Sequence, residues 1–110
     1  MTLNELKELL LTVGVPVYRY EGFQETGNYI VWAEDSQGSA LHSDDSMSSR
    51  SIQGTIDYFT QEENDSIVET IEEKLNSADL SWQLGSIQYE KENGYIHYEW
   101  IWEVDNIGTS

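Results

Sequence analysis

The chain contains no cysteine, one proline and five Lys and Arg in 110 residues. Without cysteine there are no disulfides, no thiolate metal sites and no cysteine nucleophile, and a small secreted scaffold stapled by disulfides is not expected. No apolar run approaches the roughly 18 residues that would span a bilayer. The segment Met1 to Val13 carries Glu5 and Glu8 and lacks a basic start, so it does not read as a signal peptide. The glycine-rich phosphate loop, the dinucleotide-binding turn and the G-x-S-x-G elbow are missing too.

The scarcity of bases faces an abundance of acids. Twenty-one Asp and Glu give a formal charge of −16. Such a surface repels phosphates and anionic headgroups, so charge-driven binding to nucleic acid or membrane is disfavoured. What remains is solubility, a basic protein partner, a surface along which DNA slides without sticking, or mimicry of DNA's own phosphates. The acidity does not imply disorder. Four Trp, seven Tyr and two Phe provide large buried area per residue, and acidic disordered chains are poor in aromatics. The length suits one core, hence a single domain over residues 1–110.

Thr2 and Glu5 form a T-x-x-E capping box ahead of a stripe of Leu3, Leu6, Leu9, Leu10 and Val13, which predicts a helix over 2–13 closed by Gly14 and Pro16. Residues 16–21 alternate as a strand. Residues 28–34, with Tyr29, Ile30, Val31 and Trp32, are apolar on both faces and read as a central strand. Residues 50–60 alternate again, with Ile52, Gly54, Ile56 and Tyr58 on one face; Gly54 suggests a bulge or a close backbone approach. Ser66 and Glu69 suggest a second capping box, opening an amphipathic helix with Ile67, Ile71 and Leu75 inward. Residues 80–90 and 95–104 flank Asn93-Gly94, the preferred pair for a two-residue type I′ hairpin. That turn pairs Tyr89 with Tyr98, Ile87 with Trp100 and Gly85 with Trp102. Trp82 and Leu84 then fall on the wrong face, which calls for a bulge near Gly85. Residues 105–110 read as a flexible tail. The fold class is α+β, in the order α-β-β-β-α-β-β, with an antiparallel or mixed sheet and two helices packed on it.

Residues 35–49 depart from this pattern. The segment is rich in Ser and Asp, and its apolar residues are Ala40, Leu41 and Met47. A loop this long in a small domain is often functional. Leu41 and Met47, with Arg50 at its end and Asp57 in the following strand, are the residues expected to meet a partner or a second copy. Asp57 interrupts the apolar run Ile56-Asp57-Tyr58-Phe59, where it either faces outward or pairs with a base of a neighbouring subunit such as Arg50 or Lys74.

Catalytic and metal sites are thinly represented. His42 lies in the long loop, and His97 and Glu99 share one face of the last strand. Zinc needs three or four convergent ligands, and two distant histidines do not supply them. No pair of carboxylates is singled out for acid–base work. The strip Trp100, Trp102, Tyr98 and Tyr89 could stack a ligand, but a small domain must bury its aromatics somewhere, and core packing is the favoured role. No cofactor and no enzymatic activity are expected.

The opening Met1-Thr2-Leu3-Asn4-Glu5-Leu6-Lys7-Glu8-Leu9-Leu10, then Gly14-Val15-Pro16-Val17-Tyr18, Asn28-Tyr29-Ile30-Val31-Trp32 and Thr55-Ile56-Asp57-Tyr58-Phe59-Thr60 before a helix, resemble small proteins of phages and prophages of low-GC Gram-positive bacteria. Those are minor capsid or tail-completion proteins, similar to the tail terminators of long-tailed phages. The resemblance implies helices on a sheet, and a homo-oligomeric ring, usually a hexamer, that joins the major tail-tube protein to the head-tail connector. It implies a protein made in the bacterial cytoplasm and located in the neck of the virion, through which DNA passes without specific binding. The long loop matches the segment that such rings point at the lumen or the tube. The other reading that the charge allows is an acidic DNA mimic that inhibits a host DNA-binding enzyme.

Overall fold

The computed structural model describes residues 1–22, 26–37 and 51–105. Helix α1 (Leu3–Leu11) leads into strand β1 (Val17–Arg19) and β2 (Tyr29–Gln37); β3 (Ser51–Thr60), helix α2 (Ser66–Asn76), β4 (Ser81–Glu90) and β5 (Tyr95–Asp105) follow. The fold class is the one expected, α+β with the order α-β-β-β-α-β-β. The five strands form one sheet in the order β1-β2-β3-β5-β4. It is mixed: β1 runs parallel to β2, and all other pairs are antiparallel.

Both helices lie on one face, because that is where β2, β3 and β5 direct the side chains of the buried apolar cluster. Ile30 and Trp32, Ile56 and Tyr58, and Trp100, Trp102 and Val104 meet Leu3, Leu6 and Leu10 of α1 and Ile71 and Leu75 of α2 in one buried cluster. Along a strand alternate side chains share a face, so the even-numbered residues of β3 and β5 build this core while the odd-numbered ones project from the far side. Gly54 stands opposite Trp102 in the β3–β5 ladder. A Cβ at position 54 would collide with the Trp102 ring and the Ala33 carbonyl oxygen, so the missing side chain is what admits the indole. The close approach expected at Gly54 is therefore present.

The ends of the elements refine the boundaries read from the sequence. Thr2 caps α1 in a complete capping box: Glu5 N donates to Thr2 Oγ1 at 3.1 Å, and Thr2 N donates to Glu5 Oε1 at 2.8 Å. The cap of α2 is Asp65, not Ser66. Its Oδ1 accepts from Ile67 N at 2.9 Å, while its Oδ2 accepts from Tyr58 Oη and from Thr60 Oγ1. Asn28 Nδ2 donates in turn to Tyr58 Oη at 2.6 Å. A buried carboxylate that ends β3 and starts α2 in one network outcompetes a hydroxyl one residue later. Strand β2 continues to Gln37, past the start expected for the long loop, because a bulge between Glu34 and Ser36 keeps it paired with Gln53 and Ile52. Residues 38–49 of that loop lie outside the described residues. Asp105 is not part of a tail but closes β5 opposite Ser51; residues 106–110 lie outside the described residues.

The hairpin differs from its expected register by two residues. Glu90 pairs with Tyr95, so the loop is Lys91 to Gly94, closed by Gly94 N donating to Glu90 O at 2.8 Å. A type I′ turn needs positive φ at both central residues. Here Gly94 has φ +77° and Asn93 does not join it; the Asn93 side chain instead accepts from Tyr95 N and donates to Glu90 Oε1. A shift of two leaves each side chain on its expected face but changes its partner: Tyr89 stands opposite Ile96 and Ile87 opposite Tyr98. The bulge expected near Gly85 lies between Leu84 and Ser86, and it brings Leu84 opposite Trp100 and Trp82 opposite Trp102.

Two substitutions test this packing. Asp65→Ala removes a helix cap and leaves two buried hydroxyls without their acceptor, and should lower stability by about 2–4 kcal/mol in urea unfolding. Gly54→Ala should cost at least about 2 kcal/mol in the same measurement, because a backbone oxygen and an indole cannot both retreat.

Candidate functional site

The sheet face away from the helices carries the most concentrated side-chain chemistry of the molecule. Tyr29 of β2, Phe59 of β3 and His97 of β5 form a row across three adjacent strands. Tyr29 stacks on Phe59 at 4.8 Å between ring centres, and Phe59 stacks on the His97 imidazole at 4.3 Å and 22°. Tyr95 closes on Tyr29 and Phe59 edge-on and donates its hydroxyl to Gly27 O at 2.9 Å. Tyr18 meets Tyr29 edge-on from β1. Rings at neighbouring positions in a sheet bury one another even without a covering layer, and Tyr29 and Tyr95 are both buried here.

Asp57 sits at the middle of this face. Its Oδ1 lies 2.7 Å from His97 Nε2, and its Oδ2 accepts from Thr55 Oγ1 at 3.1 Å. The two side chains are 17% and 21% exposed, so the pair is largely withdrawn from water. Glu90 Oε2 lies 3.8 Å from His97 Nδ1. Glu99 stands directly opposite Asp57 in the ladder. Two like charges in that position repel, and an imidazolium placed diagonally to them relieves the repulsion. The hydrogen bond to Asp57 raises the pKa of His97 against the opposing effect of burial, and the charges of Asp57, Glu90 and Glu99 raise it further. The cation also gains from lying on the Phe59 ring.

What this arrangement can do follows from where the imidazole points. Both ring nitrogens are directed at carboxylates, so the ring is placed to carry a proton and to tie β5 to β3. Glu99 lies on the same face as His97, as the sequence suggests, with its carboxylate near Gly85. Among the described residues no group of three or more His, Asp and Glu is gathered to hold a metal ion. His42 lies outside the described residues.

The other titratable clusters are structural. Burial pushes the Asp65 carboxyl up, but hydrogen bonds from Tyr58, the Ile67 amide and Thr60 outweigh it and hold the group below the usual carboxylate range. Burial first, and the Asp65 contact second, drive the Tyr58 hydroxyl upward. On the helix side Arg19 reaches Glu34 with Nη2 at 2.9 and 3.0 Å and lies over the Trp32 ring, while Tyr20 Oη donates to Glu34 Oε2 at 2.7 Å.

Of the residues expected to meet a partner, Asp57 is at the centre of the open face, and Leu41, Met47 and Arg50 lie outside the described residues. Lys74 is on α2, on the opposite side of the sheet from Asp57. The aromatic strip divides: Trp100 and Trp102 are fully buried in the core, whereas Tyr89 on the edge strand is exposed. The sequence singled out Asp57 and His97 separately and missed their pairing, because the ladder that joins them connects strands separated by α2 and β4 in the chain.

A scan against protein-family models matches no family, and a search of curated proteins finds no match. The likeness to tail-completion proteins thus rests on the residues quoted for it. Among the described residues no helix is long and apolar enough to cross a membrane.

His97 sets a pH dependence with a definite sign. Its folded pKa lies above the ordinary 6.5, so the stability it contributes is fully present below that value and is lost as pH rises through the folded pKa. Urea midpoints measured from pH 5.5 to 8.5 should therefore fall with rising pH, and Asp57→Asn should flatten that fall. An NMR titration of the His97 ring should show the raised pKa directly, and its return toward the ordinary value in Asp57→Asn.

Proposed function

We propose that this chain is a structural assembly protein of the tail-terminator kind. It is a component of a homo-oligomeric ring, hexameric by the resemblance, that joins the major tail-tube protein to the head-tail connector of a phage particle. Its role is mechanical and not enzymatic, and it needs no cofactor. It is made in the bacterial cytoplasm and works in the neck of the virion.

The observation that carries this reading is the one-sided packing of the sheet. Both described helices cover one face. The other face presents half-buried Val31, Phe59 and Ile101 around the Asp57–His97 pair, with no described helix on it. Apolar and aromatic side chains around a withdrawn charge pair form the kind of surface that packs against a neighbouring protein. Leu41, Met47, Arg50 and Asp57 are the contacts proposed for that assembly. The element order and the placement of Asp57 in an apolar strand ahead of a helix agree with what the resemblance implies. The charge has a role in this setting too: a wall carrying −16 per chain does not hold DNA, so a genome can slide past it.

Light scattering across a concentration series, at low and at physiological salt, tests the proposal. Self-repulsion between chains should oppose association at low salt, and a Debye length of about 10 Å at 0.1 M should relieve it. The expected result is a species several-fold heavier than 12.7 kDa that grows with concentration and with salt. A chain that stays monomeric even when mixed with a tail-tube protein would overturn the ring. If that monomer also displaced DNA from a DNA-binding enzyme, the acidic DNA-mimic reading would replace it.

A further inference from the structure

Strand β4 ends the sheet. Its neighbour is β5, and among the described residues no strand pairs with its other edge. Leu84, Ile87 and Tyr89 project from it and are 42%, 55% and 64% exposed. They stand opposite Trp100, Tyr98 and Ile96. The apolar face that the helices cover elsewhere therefore runs on, uncovered, to the rim of the sheet.

Exposed edges invite pairing, and proteins usually blunt them with lysine, proline or inward charges. Among the ten residues of β4 there is no lysine and no proline, and the one charged residue is Glu90 at its end. The bulge at Gly85 is the only such device in the strand. The charge sits around the strand instead. Glu72 of α2 accepts from Trp100 Nε1 at 2.9 Å, and Trp100 stands opposite Leu84 in the ladder. On the other face a Cβ at Gly85 would lie 3.3 Å from Glu99 Oε1, so a second carboxylate borders the bulge. Glu90 lies on that face as well, turned toward His97. Lys91, in the turn, is the base that follows the strand.

We propose that β4 is a docking edge for an extended, basic segment of another protein, which joins the sheet as a sixth strand. Its backbone pairs with the outward amides and carbonyls of β4. Alternate apolar side chains lie against Leu84, Ile87 and Tyr89, and the intervening lysines or arginines project to the side of Glu90 and Glu99. Charge complementarity selects this occupant over a second copy. Two chains of −16 joined through β4 would bring two sets of these carboxylates together with no base in either strand. A helix would cover the apolar side chains but leave the backbone edge unpaired. The site is independent of ring assembly, which is placed on the uncovered face of the sheet and not on its rim.

The test is to add acetyl-Lys-Val-Lys-Val-Lys-Val-Lys-amide to the full chain and follow the backbone amides by NMR. Saturable shifts concentrated on residues 81–90 are expected. Methylating the valine nitrogens, or in a second peptide the lysine nitrogens, blocks one peptide edge or the other. At least one of the two forms should bind about ten-fold or more weakly, as the loss of several backbone hydrogen bonds requires. The counterpart with glutamate in place of lysine should not bind. Ile87→Lys and Tyr89→Lys alter exposed side chains, so circular dichroism should show the fold retained while the unmodified peptide binds less tightly. Both methylated peptides binding as tightly as the unmodified one, or shifts spread over every acidic surface, would overturn the proposal in favour of diffuse attraction. A dimer present without peptide and broken by Ile87→Lys would overturn it in favour of a second copy.

Discussion

Trp102 lies across the one position of β3 where a side chain is missing, and the rest of the structure depends on that contact. The indole occupies the space that Gly54 leaves and comes within 6.4 Å of Trp32 on β2. Three central strands are thereby locked in one register. A slip of one residue would move Trp100, Trp102 and Val104 to the far face and leave the helices nothing to cover. The same lock sets the far face, since it places Phe59 beside His97 and Asp57 beside Glu99. The core and the charge pair are thus two faces of one alignment.

Most of the fold is legible in the sequence because its signals are local. The capping box at Thr2, the periodicity of both helices and the alternation of β3 are readable within a few residues, and so is the mismatch that demands a bulge at Gly85. The departures occur where a tertiary contact overrides a local preference. Ser66 looks like a cap until Tyr58 and Thr60 are found to converge on Asp65. Asn93-Gly94 looks like a two-residue turn until Asn93 is drawn to Glu90 and Tyr95, and its backbone oxygen to Gln61. The Asp57–His97 pair is the extreme case. Each residue is conspicuous alone, but their meeting depends on β5 inserting between β3 and β4, which no local pattern encodes.

The excess of acid is not spread evenly. On the open face, carboxylates gather around a histidine and raise its pKa. On the helix side, Arg19 is drawn to Glu34 and shielded by Trp32. One of the few bases is therefore engaged at the surface by a carboxylate of the same chain, and the remaining acids are left with fewer partners. Any macromolecule that approaches meets a net charge of −16 that is concentrated in places, with exposed apolar side chains on β4.

The two rims of the sheet are unequal. Strand β1 is three residues long and begins at the residue after the chain's single proline, whereas β4 is ten residues long. A sheet grows into a fibre only if each added unit presents a fresh edge as good as the one it covers. Here the long rim would be used up by the first strand to dock, and the short one offers too few backbone groups to continue. The inequality of rims therefore works against a fibre built from copies of this sheet, since two copies joined through their long rims would leave only the three-residue β1 rims for further growth.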